Sequence, residues 1–543
     1  MLFLRTLQGG DGHRLKGTMT TGRGLLLTWA AALVIASPAA SLKRFDEWMP
    51  DITPAERQWA QSCTREQIER LSNPVEADQL PKSLEDVGSP IEFYSVRGHQ
   101  CALNSTWYFG LAVRDPTKLL IYLVGGGACF NGATCCPGGN ETAIYIQDLP
   151  DINQVALVSC LPTLQFDLSG LFGIFDDRTD NAVANYSVLL VPYCTGDVHL
   201  GNVSVEYQAT NGSTCTVQHQ GSSNTGLAMD FAFDLFKDTV TELVVAGGSA
   251  GGYGVPAHGA KFLNALQTER PDDRIKTTFL VDAAAGVVAV APSWQVTEKG
   301  VTTEVLAPTD DFPDFTGFIE PGVPVLGGLV PTTQSSLNES TEALRLFRER
   351  VALAFPQDLL MLEVSSTEDN SQIFFTVATA QGILEDPECD PANCSLAYPR
   401  LIEPILESSA QRVPNYEALL FNGTRHELAR RAEWYTTSGV IIDGDGSRQN
   451  RSAAAWFNEA VTRELDEAST SSPSATSSPT TTASPSDAPS PSSPPGASPG
   501  ATSGPPSEAP EQNTASPSPS GTVIPEPEQS DPEQSDPEQS DPE

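Results

Sequence analysis

Three features of the 543-residue sequence predict an α/β fold with a mostly parallel sheet and helices on both faces. Short, wholly apolar runs recur along it, amphipathic runs of helical period separate them, and one Gly-rich turn sits where a strand hands over to a helix. A strand buried on both faces has no polar side, so it reads as a continuous apolar run and not as an alternating one. Lys118–Val124 (KLLIYLV) and Ser187–Tyr193 (SVLLVPY) are of this kind. Asn224–Asp238 spaces its apolar residues three and four apart, which predicts a helix. Glu242–Gly247 (ELVVAG), Thr277–Ala284 (TTFLVDAA) and Leu359–Ser366 (LLMLEVSS) predict further buried strands, and Ala453–Val461 a late helix. Strands alternating with helices imply parallel pairing, and such sheets form their sites at the carboxyl ends of strands.

Composition sets the outer limits. From residue 468 onward the chain is mainly Ser, Pro, Thr, Ala and Gly, and it ends in the repeat EQSDPEQSDPEQSDPE. Such a segment cannot bury enough apolar surface to offset its ordering entropy, so residues 468–543 are expected to be a disordered, acidic spacer. It lacks the terminal apolar run that a glycolipid anchor needs. Residues 42–467 are expected to form one domain. The tail beyond Glu467 has eleven acids and no Lys or Arg, so most of the net charge of −38 belongs to the residues before it. An acidic domain argues against nucleic acid or an anionic membrane surface as partner.

Residues 1–41 read as a leader and signal peptide. Arg23 precedes the apolar run Gly24–Ala36 (GLLLTWAAALVIA), and SPAAS follows, with cleavage expected near Ala39–Ser41. The run is shorter than the ~20 residues that span a bilayer, so no integral membrane span is expected after cleavage. Met19 is an alternative start. The ten cysteines lie between Cys63 and Cys394 and show no zinc-type spacing, so disulfides are expected, with Cys389 and Cys394 close enough in sequence to pair. Nine N-x-[ST] sequons, at Asn104, Asn140, Asn185, Asn202, Asn211, Asn338, Asn393, Asn422 and Asn450, fit an exported glycoprotein. The expected location is extracellular or the cell wall.

The chemistry centres on Val244–Leu263 (VVAGGSAGGYGVPAHGAKFL), where Gly247-Gly248-Ser249-Ala250-Gly251 fits G-x-S-x-G. A nucleophile elbow turns sharply from strand to helix, so residues beside the serine must be small, and the helix start offers N–H groups to an oxyanion. The structural alternative is a loose Gly-rich loop. A serine nucleophile needs a base and an orienting acid, in the chain order Ser, acid, His for an α/β-hydrolase. Only His258 and His426 follow Ser249. His258 falls on the helix after the elbow and is expected to face away, leaving His426, in NGTRHELARR, as the base. Glu368 and Asp369 follow a late strand and are candidate acids, with Asp282 as a competitor one strand earlier. The glycines of YLVGGGACFNGATCC can bring a second N–H donor close to substrate, with Gly126 and Gly127 as candidates. The loop lacks the G-x-G-x-x-G run of a dinucleotide site. No metal or organic cofactor is expected.

Four blocks, taken in order, resemble the pectin acetylesterase/Notum family of secreted carboxylester hydrolases: GGGACFNGATC (Gly125–Cys135), VPYCTGDVHLGN (Val191–Asn202), GGSAGGYGV (Gly247–Val255), and the pair EDNSQ with GTRHE. The resemblance spans about Phe93–Trp456. It implies an α/β-hydrolase-like fold and a Ser-His-Asp triad. The family's D-x-x-Q pattern is met by Asp369 and Gln372, which selects Asp369, and its H-E pattern by His426–Glu427. Ser249, Asp369 and His426 are thereby nucleophile, acid and base, and Gly126, Gly127 and Ala250 the oxyanion hole. A bulky Trp is common near the paired glycines in the family, whereas Gly127 and Ala128 stand here. Asp197 and His199 are expected to line the cleft, there either to bind substrate hydroxyls or to hold the loop. The family acts on acetylated cell-wall polysaccharide or on a fatty-acylated signalling protein; the sequons and the tail point to a wall or extracellular setting and so to acetylated polysaccharide. The rival readings are a lipid-acyl esterase and a non-catalytic extracellular glycoprotein of the same fold.

Overall fold

The computed structural model describes residues 65–87, 91–136, 143–150, 173–209, 211–286, 294–298, 301–305, 337–383, 395–444 and 448–463. All of them fall in Met1–Thr470, one of the two units into which the chain divides. The expectations for the leader, for Cys389–Cys394 and for the tail concern residues outside this set.

A ten-stranded sheet organises the described residues. Its strands, interspersed with the hairpin strands β5 and β6 and β9 and β10, are β1 (Glu92–Tyr94), β2 (Phe109–Ala112), β3 (Asp115–Leu123), β4 (Tyr186–Val191), β7 (Glu242–Gly248), β8 (Lys276–Asp282), β11 (Leu359–Ser366), β12 (Tyr416–Phe421), β13 (Ser438–Ile442) and β14 (Arg448–Ser452). The hairpins are Val203–Gln208 with Thr214–His219, and Trp294–Glu298 with Val301–Val305. The spatial order of the large sheet is β1-β2-β4-β3-β7-β8-β11-β12-β13-β14. The six central strands, β4 to β12, pair in parallel, and two antiparallel strands close each edge. The sheet is thus mostly parallel, as the apolar runs predict. The antiparallel edges were not foreseen.

The longer helices among the described residues are α1 (Gly221–Phe236), α2 (Ala250–Glu269), α3 (Leu337–Ala354), α4 (Asn370–Ile383), α5 (Ala397–Arg412) and α6 (Ala453–Thr462). Alternate residues of each central strand enter different cores. Leu119, Ile121, Val245, Phe279 and Met361 pack with α1, α2, α3 and α5 on one face. Leu120, Tyr122, Val244, Ala246, Leu280 and Leu362 pack with α6 and the turns around Ile174 and Trp434 on the other. That double burial is why these strands have no polar side.

The oxidised cysteines tie the loops above the carboxyl ends of β3 and β4. Cys101–Cys194, Cys129–Cys135 and Cys136–Cys215 are disulfides, and no described cysteine is free. No helix among the described residues is long and apolar enough to cross a membrane.

Candidate functional site

Ser249 stands between the end of β7 and the start of α2, and its backbone angles are φ 52° and ψ −123°. A non-glycine residue at positive φ costs on the order of 1–3 kcal/mol and persists only where its surroundings impose it. Two contacts impose it here: the Ser249 N–H donates to the Asp282 carbonyl at 2.8 Å, and the Ser249 carbonyl accepts from Gly252 N–H at 2.9 Å. The neighbouring glycines are clearance, not looseness. A Cβ on Gly251 would lie 1.9 Å from the Leu123 carbonyl oxygen, so only glycine lets α2 start this close to β3.

His426 follows β12, and Asp369 follows β11. Asp369 is fully buried, and the Nδ1 of His426 lies 3.0 and 2.9 Å from its two carboxylate oxygens. Asp369 also sits just before α4 and accepts the N–H groups of Ser371 and Gln372 at 2.9 Å each, so the helix N-terminus supports its negative charge. Gln372 completes the mount. Its amide donates to the Tyr398 hydroxyl at 2.9 Å, and its oxygen accepts from Ala285 N–H at 3.1 Å. With Nδ1–H directed at Asp369, Nε2 of His426 is left as the basic nitrogen. Burial by itself lowers the His426 pKa, but the hydrogen bond and charge of Asp369, aided by Glu427 and Asp282, hold it above the usual 6.5.

Ser249 and His426 line one cavity with Gly127, Ala128, Val198, Ala250, Tyr253, Ala283, Gln372 and Phe375. Among the described residues no hydrogen bond joins the serine hydroxyl to the imidazole. Such bonds often tighten only when substrate is bound. Ala250 is the first residue of α2, where backbone N–H groups have no helical partner. Gly127 has φ +79°, and a Cβ there would lie 2.1 Å from the Ile144 carbonyl oxygen. Gly126 does not line the cavity, and its carbonyl accepts from Ile146 N–H at 2.8 Å. Ala128 takes the place beside Gly127 on the wall.

Asp197 and His199 are fully buried and do not line the cavity, whereas Val198 between them does. Asp197 accepts from the Thr195 hydroxyl and from Gly221 N–H, both at 2.6 Å. His199 Nε2 donates to the Val124 carbonyl at 2.9 Å, and Nδ1 accepts from the Thr225 hydroxyl at 2.8 Å. Burial lowers the His199 pKa to about 3, so the ring is neutral. The expectation that they line the cleft is therefore corrected: burial and these hydrogen bonds make them holders of the loop. His258 also faces away, with Nε2 donating to the His199 carbonyl at 2.7 Å.

Asp282 has a part that its standing as a competing acid did not suggest. Its backbone carbonyl holds Ser249, and its Oδ2 accepts the N–H groups of Leu428 and Ala429 at 2.6 Å each. One residue therefore ties the serine turn to the loop after His426. Burial raises its pKa to about 7. Glu427, buried at φ 54°, accepts from Arg430 Nε at 2.7 Å. Tyr253 and Phe375 were also missed. Their signal is helical spacing, four residues from Ser249 and three from Gln372, which places each on the cavity side of its helix.

Compared with known proteins, the chain matches no family model, and no curated protein matches it.

Proposed function

We propose that the chain is an α/β-hydrolase-type serine carboxylester hydrolase. The observation on which this rests is one cavity wall that holds a serine at positive φ, a histidine bonded through Nδ1 to a buried aspartate, and the start of a helix. In the proposed reaction His426 Nε2 takes the Ser249 proton as Oγ attacks the ester carbonyl carbon. The N–H groups of Ala250 and Gly127 receive the oxyanion, and Asp369 stabilises the imidazolium. The alcohol leaves with the proton from His426, and water then hydrolyses the acyl-enzyme by the same route. The resemblance covers acetyl-polysaccharide and fatty-acyl esters alike, and the sequons and Ser/Pro/Thr-rich tail favour acetyl esters of extracellular or cell-wall polysaccharide as the substrate class.

Ser249→Ala tests the reading. Turnover of an aryl acetate is expected to fall by at least ~10³-fold, with the melting temperature kept. A fluorophosphonate is expected to label the parent chain at Ser249 and to leave the variant unlabelled. Unchanged turnover in the folded variant rules the assignment out. Aryl esters from acetyl to long acyl chains, followed by acetate release from acetylated polysaccharides, separate the polysaccharide reading from a lipid-acyl one.

A further inference from the structure

The loop that delivers His426 also displays a sequon, Asn422-Gly423-Thr424. Of the nine sequons, those at Asn104, Asn185, Asn202, Asn211, Asn422 and Asn450 have an exposed asparagine in the structure. Asn422 is set apart by its position. β12 ends at buried Phe421, residues 422–425 are all exposed, and His426 comes next. This segment is docked on the turn that bears Asp369. Glu368 N–H donates to the Gly423 carbonyl at 2.9 Å, and Asn370 N–H to the Thr424 carbonyl at 3.3 Å. Gly423 N–H donates to Thr367 Oγ1 at 3.3 Å, and the Ser366 hydroxyl to the Arg425 carbonyl at 2.8 Å. The backbone is thus fixed by its neighbours, while among the described residues the Asn422 side chain has no hydrogen-bond partner. Four residues of chain reach at most about 14 Å, so Asn422 Cα lies within that distance of His426 Cα.

We propose that Asn422 bears an N-linked glycan that stands beside the mouth of the cavity and filters what reaches Ser249 by size. In the modification, Nδ2 of Asn422 displaces a polyprenyl diphosphate from C1 of a lipid-linked oligosaccharide. The N–C1 bond forms, the C1–O bond to phosphate breaks, Nδ2 gives up one proton, and the diphosphate leaves. The filter rests on the ester-hydrolase reading; the modification does not. A glycan fixed on this docked loop leaves small esters free access. It hinders chains or surfaces approaching from the side of β11 and β12.

The chain secreted by a glycosylating eukaryotic host is treated with peptide N-glycosidase in heavy-oxygen water and mapped by mass spectrometry. Residue 422 is expected as heavy-labelled aspartate only in the enzyme-treated sample, an enzyme-free control in the same water reporting spontaneous deamidation of Asn422-Gly423; equal labelling in both, or unmodified Asn422, overturns the proposal. In a second arm Asn422→Gln and Thr424→Ala, each lacking the sequon, are compared with the parent. The probes are a compact fluorophosphonate and the same warhead tethered to a large dextran. The compact probe is expected to label all three proteins at one rate, and the tethered probe to label both variants severalfold faster than the parent. Equal rates with the tethered probe overturn the filter. If the compact probe labels none of them, the ester-hydrolase reading falls, while the peptide map still decides the glycan.

Discussion

At the scale of single residues, the reading turns on what surrounds His426. Its Nδ1 is claimed by Asp369; burial presses the imidazole pKa down, and the hydrogen bond to Asp369 first and its charge second hold it up. Asp369→Asn keeps the shape and removes that charge. Turnover of an aryl acetate is expected to drop by ~10³–10⁴-fold, because the preferred tautomer and the imidazolium both lose support. The base acts only when neutral, so activity is lost on the acid side as His426 protonates. Without Asp369 the His426 pKa falls, and the acid limb of kcat/KM is expected to move to lower pH; a limb that stays in place argues against the pairing. Asp282 supports a separate test. Its pKa rises from an ordinary 3.8 to about 7 on folding, through burial first and the nearby Glu427 charge in part. The folded state therefore binds this proton more tightly, and the stability so gained is full below about pH 4 and lost as pH rises to about 7. Asp282→Asn lacks this loss. The melting temperature of the variant relative to the parent is expected to climb between pH 4 and 7, as read by thermal scans across that range.

At the scale of elements, the strands were the legible part and the edges were not. The runs at Lys118–Val124, Glu242–Gly247 and Leu359–Ser366 fall on β3, β7 and β11 because both faces of those strands are covered, and their periodicity vanishes for that reason. β1 has only three residues and β14 is largely exposed, so neither leaves an apolar run to find. Ser249 was legible from its Gly-rich strand-to-helix turn, and His426 because only two of the six histidines follow that serine; Asp369 was chosen over Glu368 and Asp282 only through the family resemblance. The part played by Asp282 was not legible, since its work is done through a backbone carbonyl and two backbone N–H groups, which no motif records. The loop from Gly125 to Cys136 falls between these cases: its glycines mark a close approach, but which N–H faces the cavity depends on the fold. Gly127 lines the cavity and Gly126 does not. Gly127→Ala forces a Cβ towards the Ile144 carbonyl at a positive φ. It is expected to lower kcat by ~10²-fold or more with little change in KM, as for a lost oxyanion donor. Equal kcat in variant and parent removes Gly127 from that role.

At the scale of the whole molecule, the sheet supplies the site and the disulfides restrain the loops that shape it. Cys101–Cys194 and Cys136–Cys215 close loops of 93 and 79 residues, whereas Cys129–Cys135 closes one of 6. Chain entropy in the unfolded state makes a long closed loop worth roughly 4–5 kcal/mol and a short one about 2 kcal/mol. Stability and activity should therefore separate. Replacing Cys101 and Cys194 together by Ser is expected to lower the denaturant midpoint most, because that pair constrains the unfolded chain most. Replacing Cys129 and Cys135 together is expected to lower the midpoint least, yet to reduce ester turnover more than its stability cost accounts for. Cys129 follows Ala128 on the cavity wall, and its N–H donates to the Gly196 carbonyl at 2.9 Å, so the short bridge sets the loop that bears Gly127. Denaturant titration and aryl acetate kinetics on both double variants check this ordering. A Cys129–Cys135 variant with full turnover places the loop's rigidity elsewhere, in the hydrogen bond to Gly196 and the packing of Tyr145.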